Sequence, residues 1–299
     1  MDSVFMSLLP DGLLIVMGAC LRNVVPREGW AGIDRLNFQL LFPALLFFAA
    51  SRHSPAPGDL VMMGTGVWAI ILLGVVLAYC LRPVGPESFL DFAGLWQTAW
   101  RFNTALALVV VQVLPPEAAA LMSVAVGLAV PMANFLAVLV LSRGQSLSLF
   151  KTIRMIALNP FLIGSLLGLL VAVFRMELPE PVMTTASRFA QAALPVALLS
   201  IGASLDFKAL LRFDPFMSGL NMIKLLLLPL AAFLITQALG VPRDPACILV
   251  IFAALPTASA AHVLASVFGA DKSRVATMIA QSTLLSCLSL PFWISMAQG

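Results

Sequence analysis

Charge is scarce in this chain: Asp, Glu, Lys and Arg supply 10% of its 299 residues, against roughly 25% in a soluble domain. With 61% hydrophobic residues and a mean hydropathy of +1.02, a soluble globular unit is excluded. The chain reads as an integral membrane protein. Cysteine is sparse too. Cys20, Cys80, Cys247 and Cys287 lie singly in apolar runs, with no CxxC pair and no His or acid at ligand spacing. That pattern argues against a disulfide framework or a metal site and suits small packing residues, so no cofactor is expected. The first segment, "MDSVFMSLLPDGLLIVMGACLRN", has no basic n-region and no A-x-A site; a retained first helix is expected rather than a signal peptide.

Catalytic signatures are missing as well. There is no HExxH, no GxSxG and no pair of intramembrane aspartates, so an enzyme is not expected, nor is a nucleic-acid partner. The acids in or beside apolar runs, Asp11, Asp59, Asp206, Asp214 and Glu117, fall toward the run ends. This leaves no mid-membrane carboxylate to bind Na⁺ or carry a proton as a cation antiporter requires. The buried charge is expected to be cationic, which favours an anionic substrate.

What the chain does have is apolar runs, at about 4–21, 36–51, 59–81, 92–114, 117–141, 153–174, 182–205, 214–239, 246–268 and 273–297. Each approaches the about 20 residues that cross a bilayer core. Ten spans put both termini on one side. The odd-to-even loops then carry Arg22, Arg27, Arg35, Arg82, Arg143, Lys151, Arg154, Lys208, Arg212, Lys272 and Arg274, whereas the other face carries Arg52, Arg175, Arg188 and Arg243. Eleven basic residues against four place both termini outside by the positive-inside rule.

Prolines recur at about half the chain length. Pro10 in "SLLPDGLLIVMG" returns 150 residues on as Pro160 in "ALNPFLIGSLLG", Pro43 returns 152 on as Pro195, and Pro131 returns 160 on as Pro291. The spacing predicts two related halves, 1–145 and 146–299, of five spans each. An odd number of spans per half turns the second copy upside down in the membrane, the inverted repeat of many secondary transporters.

Within "AALPTASAAHVLASVFG", Pro256 lies ten residues into a span that starts near 246, hence ~15 Å deep in a core of ~30 Å. A proline there removes a helical hydrogen bond, and a broken helix lining a polar site is predicted.

The segments "ALPTASAAHVLASVFGADKSRVATMIAQSTLLSCLSLPF", "LPVALLSIGASL" and "RLNFQLLFPALLF" together resemble the auxin efflux carrier family of membrane transporters. The likeness covers all ten spans. It implies a fold similar to that of bile acid transporters and sodium/proton antiporters: an all-α integral membrane protein of ten helices in two inverted five-helix repeats, with broken helices 4 and 9 crossing. It also implies a scaffold of spans 1, 2, 6 and 7, through which such folds form homodimers, and a mobile transport bundle of spans 3–5 and 8–10. Many family members carry Gly-x-Pro in helix 4, whereas this chain reads "WRFNTALALVVVQV". Here Asn103 and Thr104 are expected to open the helix by bonding to backbone.

The candidate substrate-binding residues are Asn103, Thr104, Pro256, Thr257, Ser259, His262, Lys224 and Arg101. Asn103, Thr104, Thr257 and Ser259 would hold an organic anion together with backbone amides after Pro256, since half-helix N-termini carry about +0.5 charge and dispense with a neighbouring arginine. Lys224 has three options: to bind substrate, to pair with a carboxylate, or to cap the carbonyls of a broken helix. His262 either faces the cavity and titrates or is a neutral ring bonded to a neighbouring helix. Arg101 either snorkels to the interface beside Trp96 and Trp100 or forms an anion funnel at the inner mouth. The function expected is secondary transport of a small organic anion by alternating access. A sodium-coupled symporter of bile-acid type and a substrate-gated channel or sensor stand as the alternatives.

The topology makes one expectation testable. A cysteine introduced in the 143–151 loop of a cysteine-free variant should react with an impermeant maleimide only after the cells are opened. Labelling of intact cells reverses the orientation.

Overall fold

A computed structural model describes residues 2–51, 57–111, 116–144, 154, 157–204 and 214–298. Among the described residues every regular element is helical. In chain order they are α1 (Asp2–Leu21), α2 (Arg27–Leu36), α3 (Phe42–Ser51), α4 (Pro57–Tyr79), α5 (Phe89–Trp96), α6 (Thr104–Val111) and α7 (Pro116–Gly144), followed by α8 (Pro160–Val173), α9 (Glu180–Ser204), α10 (Pro215–Met222), α11 (Leu228–Ala238), α12 (Arg243–Ala254), α13 (Ala260–Phe268) and α14 (Lys272–Gln298). Arg52, Lys151, Lys208, Arg212 and Asp206 lie outside the described residues.

The starts of these helices follow from local chemistry. Proline at the first helical position lacks only an N–H that had no intrahelical partner, and a short polar side chain before it caps a free amide. Asn159 Oδ1 accepts from the Phe161 amide at 2.9 Å ahead of Pro160. Asp214 Oδ1 accepts from the Met217 amide at 3.0 Å ahead of Pro215. The second apolar run is helical from Arg27 rather than from 36. Its first ten residues are amphipathic, with Trp30 and Asp34 buried one turn apart, so that charged residues extend the helix beyond the apolar run.

Two of the prolines follow a distortion one turn upstream. A π-helical turn, Asn37–Leu41, precedes Pro43, and another, Ile223–Leu227, precedes Pro229. Pro229 provides no N–H for the carbonyl four residues back, that of Leu225. The indole N–H of Trp293 donates to that carbonyl instead, at 2.9 Å.

Five helical stretches, Leu60–Tyr79, Val124–Gly144, Glu180–Ala203, Pro215–Ala238 and Lys272–Gln298, are long and apolar enough to cross a membrane among the described residues. The fourth and ninth apolar runs are instead each split into two short helices, α5 with α6 and α12 with α13, so neither half qualifies by length. Helices α1, α3, α8 and α9 pack closely together: α3 on α8, α1 on α9 and α9 on α3. Glycines allow the approach. A Cβ on Gly18 would fall 2.1 Å from the Leu199 carbonyl oxygen, one on Gly202 1.9 Å from that of Ile15, and one on Gly164 2.4 Å from that of Pro43. A second set packs α4 on α7, α11 on α12 and α12 on α14.

Because the neighbour at Gly202 is backbone, it cannot yield as a side chain would. Gly202→Val should lower stability by about 3 kcal/mol, the upper end of overpacking costs. Gly12→Ala, where a Cβ meets nothing within 4 Å, should hold or raise the melting temperature, since alanine is the better helix former. Equal melting curves for the two variants would show that α1 and α9 are not in backbone contact.

Candidate functional site

The two split helices meet at their interruptions. Helix α12 ends at Ala254, and Leu255 turns extended with φ −57° and ψ 138°, as the residue before a proline must. The fourth run loses its helix over residues 100–103, and Asn103 restarts it by accepting from the Leu106 amide through Oδ1 at 3.1 Å. Breaking a helix in an apolar interior strands backbone groups, and here each break supplies partners for the other. The Asn103 amide donates to the Pro256 carbonyl at 2.9 Å. Thr257 Oγ1 donates to the Thr98 carbonyl at 2.5 Å, and Gln97 Nε2 donates to the Ala261 carbonyl at 3.4 Å.

A cavity of about 30 Å³ lies beside this stitch, lined by Arg101, Asn103, Thr104 and Ser259, by Val130, Ala133 and Asn134 of α7, and on the far side by Phe42, Leu45, Leu46 and Leu194 of α3 and α9. It holds water-sized contents only. The N-termini of α6 and α13 both begin at its wall, so two partial positive charges converge there. Arg101 is 4% exposed. Its Nη2 donates to Asn134 Oδ1 at 2.9 Å, while its Nε and Nη1 and the Asn134 Nδ2 have no partner among the described residues. No carboxylate pairs with Arg101 among the described residues.

Two expectations are corrected here. Arg101 does not reach the interface: it sits in the non-helical stretch, where no helix direction carries it outward, and Trp96 and Trp100 are buried beside it as an edge-to-face pair at 5.0 Å. The helix starts at this cavity therefore have an arginine beside them, contrary to the expectation that none would be needed.

Of the other candidates, Pro256 and Thr257 form the stitch rather than the cavity wall. Lys224 is 1% exposed in the π-helical turn, and its Nζ donates to the Ala253 carbonyl at 3.2 Å. It sets a cation on the negative end of α12 and is not among the residues that line the cavity. His262 is fully buried on α13, with Nε2 3.5 Å from Ser200 Oγ and 3.9 Å from Asp34 Oδ1.

Asp34 overturns the reading that buried charge is cationic throughout. It is 1% exposed. Ser200 donates to its Oδ1, Ser266 Oγ donates to its Oδ2 at 2.6 Å, and Lys272 Nζ lies 3.1 Å from Oδ2. The residue precedes the apolar run, which hid it. Asn134 was missed for a different reason: a lone amide three residues after Pro131 in an apolar helix gives no periodic signal, although its polarity alone marked it as unusual.

Comparison with known proteins bears on what such a site could serve. The family described as membrane transport protein matches residues 145–294. A protein of Rhizobium meliloti (strain 1021) named "Putative malonate transporter" is 33% identical over 135 residues, 44% of this chain and 42% of that one. A protein of Methanothermobacter thermautotrophicus (strain ATCC 29096 / DSM 1053 / JCM 10044 / NBRC 100330 / Delta H) named "Uncharacterized transporter" is 33% identical over 102 residues, 34% of each chain. The matches span less than half the length of these curated relatives.

The stitch has a measurable cost of removal. Thr257→Val leaves the Thr98 carbonyl buried without its donor, which costs about 1–3 kcal/mol. Thr257→Ser should keep most of that stability. Chemical denaturation that ranks serine with valine would show the hydroxyl bond to be unimportant.

Proposed function

The chain belongs to the membrane transport protein family, and from that premise we propose that it is a secondary transporter of small organic anions, with the carboxylate bound at the meeting point of the two interrupted helices. The observation that carries this is Arg101: a guanidinium 4% exposed, with two nitrogens unpartnered and no acid beside it among the described residues. A buried charge of this kind is costly unless it gains a partner, and an anion in the cavity supplies one. Asn134 Nδ2 and the N-termini of α6 and α13 add donors of the same sign. The name of the Rhizobium relative makes malonate the first ligand to try.

The cavity of about 30 Å³ is too small for a dicarboxylate, so the conformation is a closed one. Its apolar wall, from α3 and α9, belongs to the set of helices that pack among themselves. Withdrawal of the other set from that wall would open the site, and this is the movement alternating access demands. In our reading α1, α2, α3, α8 and α9 belong to a static scaffold and the rest to a mobile bundle.

The same reading includes ten spans as two inverted five-span repeats. The first span packing on the seventh through Gly18, and the sixth on the second through Gly164, are contacts that such a repeat exchanges. The fourth and ninth spans, both interrupted, exchange likewise. The asymmetry of eleven basic residues against four supports a cell-membrane protein with both termini outside.

Malonate at 100 times its Kd should stabilise the wild type by about 2.7 kcal/mol. Arg101→Gln should weaken that binding tenfold or more, with Arg101→Lys intermediate, while the melting temperature without ligand is held or raised. Undiminished malonate stabilisation in a folded Arg101→Gln protein would move the site elsewhere.

A further inference from the structure

A second cavity, of about 620 Å³, opens between the α1–α2 connection and the start of α14. Its size is that of a ligand pocket, in contrast to the closed cavity at the stitch. Arg22, Asn23, Arg27, Trp30, Lys272 and Ser273 line it. Arg22 and Arg27 are exposed and make no ion pair among the described residues. Trp30, 7% exposed, forms part of the wall. Three cations around one hollow form a site for an anion, not for a cation or an apolar group.

The floor of this hollow is an ion pair between the two sets of helices. Lys272, at the head of α14, holds Asp34 of α2 at 3.1 Å, with a side chain 35% exposed against 1% for the acid. Asp34 also takes hydroxyl donors from α9 through Ser200 and from α13 through Ser266. His262 is the other titratable group facing it, at 3.9 Å. At the head of α14, Asp271 accepts from the amides of Ser273 and Arg274, and Arg274 pairs with Asp214 at 2.7 Å; Glu28 and Arg35 of α2 are the other charged groups at this end. A carboxylate bound by two hydroxyls and an ammonium is held in its ionised form, so the contact acts as an ionic latch. Helix α13 links it to the site: its nine residues run ~13 Å at ~1.5 Å each, from the closed cavity at Ala260 to Phe268 near the latch.

We propose that this hollow is a second anion site, an entry station at which a small dianion binds Arg22, Arg27 and Lys272, draws Lys272 from Asp34 and so loosens the bundle from the scaffold. The loosening step rests on the transport reading above; the site itself does not. The chemistry fits a dicarboxylate or a phosphate, and phosphate can arrive free or as a lipid headgroup.

Isothermal titration of the purified full-length protein at low salt separates these ideas, with malonate, inorganic phosphate and a short-chain phosphatidylglycerol as probes. Wild type should bind two malonates. Arg101→Gln should keep the hollow's site alone, and Arg22→Gln/Arg27→Gln should keep the inner one alone, with Arg22→Lys/Arg27→Lys restoring the second. Asp34→Asn, which frees Lys272, should tighten the outer site several-fold, an effect that a purely structural acid would not produce. Competition by phosphate identifies a free anion, and competition by the lipid alone identifies a headgroup. The proposal is overturned if the double glutamine variant binds all three probes as wild type does, or if wild type binds none of them saturably. Malonate binding unaffected by Arg101→Gln but abolished by the double variant counts against the inner site and leaves the outer one standing.

Discussion

The hydrogen bond from the Asn103 amide to the Pro256 carbonyl is the constraint on which the rest of this protein depends. A helix interrupted in an apolar interior exposes backbone groups that neither lipid nor side chains of Leu, Ile and Val can satisfy. Two interruptions placed against each other satisfy one another. Thr257 on the Thr98 carbonyl and Gln97 on the Ala261 carbonyl complete the exchange. The bonds fix the crossing point of the two broken helices, and that point fixes where two helix N-termini and one guanidinium converge.

From this follows a division of electrostatic labour. The break creates helix ends of both signs. Lys224 caps the negative end of α12 through the Ala253 carbonyl, while the positive starts of α6 and α13 are left facing the cavity with Arg101. The positive background is thus local and directed, not spread over the membrane interior. Asp34 contributes the opposite charge at a different place, where it ties α2 and α9 to α13 and α14.

Packing tells the same story on a larger scale. Backbone-to-backbone contacts at Gly18, Gly164 and Gly202 lock α1, α3, α8 and α9 to one another. Their meeting with the other helices around the cavity is made by bulkier apolar side chains, Phe42, Leu45, Leu46 and Leu194.

The sequence by itself determined the solvent of this protein and the places where its helices fail. Scarce charge and long apolar runs require a membrane, and Pro256, with the fixed φ and missing N–H that any proline carries, broke the ninth run wherever its neighbours lay. The polar residues Asn103, Thr104, Thr257 and Ser259 stood out against apolar surroundings for the same reason. Tertiary structure alone decided which of them face a cavity, because that depends on what the other break offers: Thr257 turned to the Thr98 carbonyl, whereas Asn103 and Ser259 came to line the wall. It also decided the fate of the charges. Arg101 lies beside two tryptophans in sequence, which suits an interface, yet the break over residues 100–103 turned it inward onto Asn134. Asp34 precedes its apolar run and becomes buried through Ser200, Ser266 and Lys272, the farthest of them 238 positions away in the chain. A charge's partner is a property of the fold, since sequence distance says nothing about which helix ends meet.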